Sequence, residues 1–132
     1  MPAPNFRLAS TVLGTPDPAG LARFYADLLG YRFRDGEPAP GDDWVVLRPP
    51  GYDEGAGLAF QLEADHVPPT WPAGPDDVPM QLHLDVAVDD LPAAVARAEE
   101  LGARQASSQP QELVRVMLDP AGHPFCLVAP GG

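Results

Sequence analysis

The sequence predicts an α+β fold made of two similar halves, each a strand, a helix and three further strands. Three observations lead there. Two amphipathic helix patterns stand between an aspartate and a glycine 13 residues later, at Asp17 to Gly30 and at Asp89 to Gly102. One strand pattern precedes each helix and three short ones follow it. Finally, Phe60-Gln61-Leu62 near the end of the first half is echoed by Phe125-Cys126-Leu127 near the end of the second, as an internal duplication would leave it.

Taken in order, Arg7 to Gly14 reads as the first strand. Asp17 then supplies an N-cap carboxylate, Pro18 suits the first helical turn, and Gly30 suits the left-handed residue that ends a helix. Leu21, Phe24, Tyr25, Leu28 and Leu29 form one apolar stripe at helical spacing. Strands follow at Tyr31 to Arg34, Asp43 to Arg48 and Gly57 to Glu63. The segment 64–79 holds five prolines in 16 residues, too many for a helix or strand interior, and reads as a stiff surface linker. In the second half, Gln81 to Val88 alternates as a strand. Asp89 and Asp90 open a helix with Leu91, Ala94, Val95, Ala98 and Leu101 on its stripe. Short strands are expected at Ala103 to Ala106, Glu112 to Leu118 and Pro124 to Ala129, the last two joined by the tight-turn sequence Asp119-Pro120-Ala121-Gly122. The division expected is a single domain over 1–132, with module one at 5–63, the linker at 64–79 and module two at 80–130.

Composition narrows the function. The 132 residues are 45% apolar, enough for a core, while 18 prolines and 13 glycines call for many turns. All eight basic side chains are arginines, set against 19 carboxylates, for a net charge of -11. Without lysine there is no Schiff-base catalysis and no P-loop lysine. The acidic balance argues against nucleic acid, anionic membranes and polyanionic substrates, unless a local arginine cluster overrides the average. No apolar run approaches a membrane span and the N-terminus lacks signal-peptide features, so a soluble cytoplasmic protein is expected. Cys126 is the only cysteine, which leaves neither an internal disulfide nor a cysteine zinc cage.

Three motifs in order then resemble one family: Phe24-Tyr25-Ala26-Asp27-Leu28-Leu29-Gly30-Tyr31, His83-Leu84-Asp85-Val86-Ala87-Val88-Asp89-Asp90, and Leu118-Asp119-Pro120-Ala121-Gly122-His123-Pro124-Phe125. Together they are similar to the glyoxalase, bleomycin-resistance and extradiol-dioxygenase (vicinal oxygen chelate) superfamily, in particular its small bacterial glyoxalase-like domain proteins. The resemblance implies two βαβββ modules with curved mixed sheets around a cleft, and a homodimer. It also implies where a divalent metal would sit in those members that hold one, on histidines or glutamates of the first and last strand of each module.

Carried over by motif spacing, those positions are His83, seven residues before Asp90, and Cys126, seven after Asp119. In the first module they are Ser10, seven before Asp17, and Gln61, matched to Cys126 through the Phe-x-Leu echo. Thr11 replaces Ser10 if the strand register shifts by one, and Glu63 shares the strand face of Gln61. Serine and glutamine are poor ligands, so no metal is expected; a divalent metal, if present, would use His83, Cys126 and Gln61.

Asp85 lies on the face of His83, roughly 7 Å along the strand, where it would orient the imidazole or join it in acid–base catalysis. The plainer reading makes His83 a polar residue lining a ligand pocket. Cys126 is read either as a partner of His83 or as a small packed strand residue. Ser10, Gln61, Trp71 and Cys126 are the ligand-binding candidates. Trp44 and Phe60 are assigned to core or pocket wall, and His66 and His123 to the surface. The function expected is small-molecule binding of the bleomycin-resistance type, without a catalytic metal or other cofactor and with a cationic or aromatic organic ligand. The alternatives are a metal-dependent lyase, isomerase or dioxygenase, or a metal-free acid–base enzyme using His83.

Overall fold

A computed structural model describes residues 4–51 and 55–132. Residues 1–3 and 52–54 of the spans expected from sequence lie outside the described part. The chain divides into two units, Met1–Ala64 and Asp65–Gly132. The fold is α+β with two similar modules.

In the first unit, β1 (Ser10–Thr15) leads into α1 (Pro18–Leu29), followed by β2 (Arg32–Phe33), β3 (Trp44–Arg48) and β4 (Gly57–Leu62). The sheet order is β1-β4-β3-β2, with β1 parallel to β4 and the other pairs antiparallel. Asp17 caps α1 by accepting from the Gly20 amide, and Gly30 closes it at φ 70°. The helical stripe buries Leu21, Phe24 and Tyr25. Tyr25 stacks on Phe60 of β4 with ring centroids 5.9 Å apart. Phe60 therefore faces the helix, and strand alternation puts Leu58, Thr11 and Leu13 on the same side. Trp44, paired with Gln61, lies on the opposite side and is exposed.

The second unit repeats the plan with β5 (Leu84–Ala87), α2 (Leu91–Leu101), β6 (Arg104–Gln105), β7 (Val114–Leu118) and β8 (Pro124–Val128), in the order β5-β8-β7-β6. Asp90 caps α2 by accepting from the Ala93 amide, and Gly102 ends it. Met117, Phe125 and Leu127 are fully buried. The first strand is shorter than Gln81 to Val88, for a reason visible in the first unit. There Gly57 donates its amide to Ala9 to open the parallel ladder. The corresponding residue of β8 is Pro124, which has no N–H to give, so β5 starts only at Leu84.

The proline-rich segment groups with the second unit. His66 Nε2 donates to the Ala121 carbonyl at 2.9 Å, and the His66 and His123 rings stand 4.9 Å apart. Both histidines are half-buried rather than lying at the surface. The segment carries bonds of its own: Thr70 N–H to the Val78 carbonyl and Gly74 N–H to the Asp77 carboxylate, both 2.8 Å. Gly122 holds a φ of +87°, and a Cβ there would run into Pro68 at 2.6 Å, so this turn position requires glycine twice over. Among the described residues no helix is long and apolar enough to cross a membrane.

Candidate functional site

The ladders decide which residues of the two modules correspond. Arg34 donates its amide to Val46 after β2, and Ala106 donates to Val116 after β6, which equates Val46 with Val116. Following the β3–β4 and β7–β8 pairs outward, Ala59 is equivalent to Cys126, since each lies opposite that valine. One strand further, Ala59 pairs with Val12 and Cys126 with Asp85, so that Ser10 corresponds to His83. Thr11 corresponds to Leu84, which settles the choice between Ser10 and Thr11 in favour of the spacing from Asp17.

Gln61 comes out differently from the sequence echo. Its equivalent is Val128, two residues beyond Cys126. The Phe-x-Leu match slips by two positions, a shift that keeps every side chain on its own face and so leaves the hydrophobic pattern intact. Gln61 is exposed, and its amide donates to Glu63 Oε1 at 2.7 Å. Ser10 pairs with Gly57 and Gln61 with Gly14, four ladder steps apart, so roughly 13 Å of strand separates the two.

In the second unit the expected residues do meet. His83 and Asp85 project from the start of β5 on one face, and the register sets Cys126 of β8 directly beside Asp85. The His83 Nε2 to Asp85 Oδ1 distance is 3.1 Å, with side-chain exposures of 37% and 64%. One ligand atom each from His83, Asp85 and Cys126 fall within 4.8 Å of one another. Burial pushes the Cys126 thiol above its ordinary pKa, and the Asp85 carboxylate pushes it the same way by charge and by accepting its hydrogen bond. The thiol is therefore held protonated. Cys126 is half-buried rather than packed away, and its raised pKa does not favour the thiolate that a nucleophile uses. Trp71 lies half-buried in the proline-rich segment.

This thiol supplies a direct test. At pH 8 Cys126 is expected to react with iodoacetamide more slowly than an unperturbed thiol. Asp85→Asn removes the carboxylate's charge, lowers the thiol pKa and speeds the reaction by roughly two- to fivefold. A rate unchanged by the substitution would show that Asp85 does not bear on the thiol.

A metal drawing on the first and last strands of both modules does not fit these residues. Ser10 and Ala59 hold the first module's positions, and an alanine methyl ligates nothing. That leaves only the second unit's one imidazole, one carboxylate and one thiol, with His83 Nε2 within 3.1 Å of Asp85 Oδ1. The arrangement offers an imidazole, a carboxylate and a thiol as polar contacts on one sheet face.

Comparison with known proteins agrees with this architecture. Residues 10–128 match the family described as a glyoxalase-like domain. No curated protein matches the chain. The fold is similar to a glyoxalase/bleomycin resistance protein/dioxygenase family enzyme from Burkholderia phytofirmans PsJN, with 16% identity, 92% of this chain and 97% of the other covered, and a TM-score of 0.62. It is also similar to a protein described as a possible glyoxalase from Bacillus cereus, at 13% identity, 95% and 100% coverage and a TM-score of 0.63. A third similar structure is the trypanothione-dependent glyoxalase I of Leishmania major, at 16% identity, 95% and 87% coverage and a TM-score of 0.59.

Proposed function

The chain belongs to the glyoxalase-like domain family, and on that premise we propose that it binds a small cationic or aromatic organic molecule without a resident metal ion. His83 and Asp85 serve as the polar contacts that orient the ligand. One observation carries this reading. The strand register gives the first module Ser10 and Ala59 where the second has His83 and Cys126, so a two-module ligand set has no first-module half. Asp85, well exposed, supplies a carboxylate for a cationic group. The naming of one structural neighbour for bleomycin resistance makes that cationic, aromatic-bearing compound the natural first probe.

Titration of the full chain with metal-free bleomycin, followed by thermal denaturation and calorimetry, tests the proposal. Saturable binding that raises the melting temperature supports it, and His83→Ala should weaken that binding by roughly tenfold while leaving the unliganded protein folded. Metal analysis of protein purified without chelator separates the alternatives. A near-stoichiometric divalent ion that is lost in His83→Ala would overturn the metal-free reading.

A further inference from the structure

Four of the chain's eight arginines gather at one cavity of the first unit, an open space of 740 Å³. Arg7, Arg32, Arg34 and Arg48 line it together with apolar surface that includes the exposed Leu8 and Pro50, and its described lining holds no carboxylate. In a chain with 19 acidic side chains, this concentrates half of the basic ones on a single surface.

The ladder explains how it forms. Arg32 and Arg48 are direct partners across the β2–β3 pair, so their side chains leave the same face of the sheet. Arg34 stands two residues beyond Arg32, and its amide bond to Val46 continues the ladder, which keeps it on that face. Arg48 lies across Gly57 and donates through Nη1 to the Ala9 carbonyl at 2.7 Å, drawing in the segment that carries Arg7. Arg34 is paired with the exposed Asp35 at 2.9 Å. Among the described residues, Arg7 and Arg32 form no ion pair.

Like charges set directly opposite on one face of a two-stranded pair repel each other. The fold does not require this juxtaposition, because the second module places Arg104 opposite Leu118 at the equivalent positions. An oxyanion between the guanidiniums removes the repulsion, and each fork can give it two parallel hydrogen bonds. Leu8 and Pro50, both exposed, offer apolar surface to whatever carries that group. From these placements we infer that the cavity at Arg7, Arg32 and Arg48 is a binding site for a small organic molecule bearing a phosphate or carboxylate group. All of its residues belong to the first unit, so it stands independently of the role given to His83 and Asp85.

The experiment is a nuclear magnetic resonance titration of the nitrogen-15-labelled full chain with inorganic phosphate and, separately, with citrate, at ionic strength held constant with chloride. Saturable shifts are expected at the amides of residues 7–9, 32–34 and 48. Saturation by phosphate alone identifies a phosphate ligand, and saturation by citrate alone a carboxylate one. Arg32→Gln should weaken binding by about tenfold and Arg7→Gln by about threefold, each with an otherwise unchanged spectrum, whereas Arg97→Gln in the second unit should change nothing. Shifts that fail to saturate with either anion overturn the inference, as does saturation that survives both Arg32→Gln and Arg7→Gln undiminished.

Discussion

Phe60→Ala is expected to destabilise the protein by about 3–5 kcal/mol, a large part of the total stability of a domain this size. Phe60 is fully buried, stacked on Tyr25 of α1, and sits in the central strand pair of its sheet. Removing the ring takes away its transfer free energy and leaves a hole that the backbone ladders on either side prevent from closing. In urea the midpoint should fall by about 2 M at an ordinary slope for this chain length. Leu62→Ala, on the same strand and face but 41% exposed, is the control and should change stability by less than about 1 kcal/mol. Equal losses from both substitutions would show that the α1–β4 contact is not the core of this unit.

Asp119→Ala should cost about 2–3 kcal/mol by a different route. The carboxylate is 3% exposed and accepts from the backbone amides of Ala121 and His123 at 2.9 and 3.0 Å, holding the turn between β7 and β8. Alanine keeps the backbone bonds between residue 119 and residues 122 and 123 but leaves the Ala121 and His123 N–H donors without their acceptor, and a donor abandoned in a half-buried turn is dearer than a bond never made. Asp119→Asn restores one acceptor oxygen and should recover more than half of the loss. Denaturant unfolding of the two variants distinguishes this from a packing effect, under which asparagine and alanine would lose alike.

Features written in a few consecutive residues were legible in the sequence. The caps at Asp17 and Asp90 and the left-handed closures at Gly30 and Gly102 are local, and each stands where its side chain or φ demanded. Strand ends were less legible because a ladder stops where its partner stops. β1 begins at Ser10 rather than Arg7 because β4 begins at Gly57, and β5 waits for the first amide after Pro124. His83 and Asp85 could be read as neighbours from their spacing on one strand, and the Asp119 turn fixed the distance to Cys126. Gln61 could not be placed by the echo, since a slip of two residues preserves the inside–outside pattern on which such echoes rest. The arginine cavity left no compact signature: its members come from four separate stretches, and only the pairing of Arg32 with Arg48 reveals their common face.

The shared ladder also shows where this architecture tolerates a change of length. His83 follows Ser10 by 73 positions, whereas Cys126 follows Ala59 by only 67. The second unit has dropped one residue from its helix, two from the stretch before its third strand and three from the last hairpin, where residues 119–123 do the work of residues 49–56. None of these deletions moved a cross-strand pair. Ladders are inherited whole while connections drift, so the mostly exposed stretch before the first unit's third strand, residues 35–43, is the place where a grafted or randomised loop can be inserted with the sheet left in register.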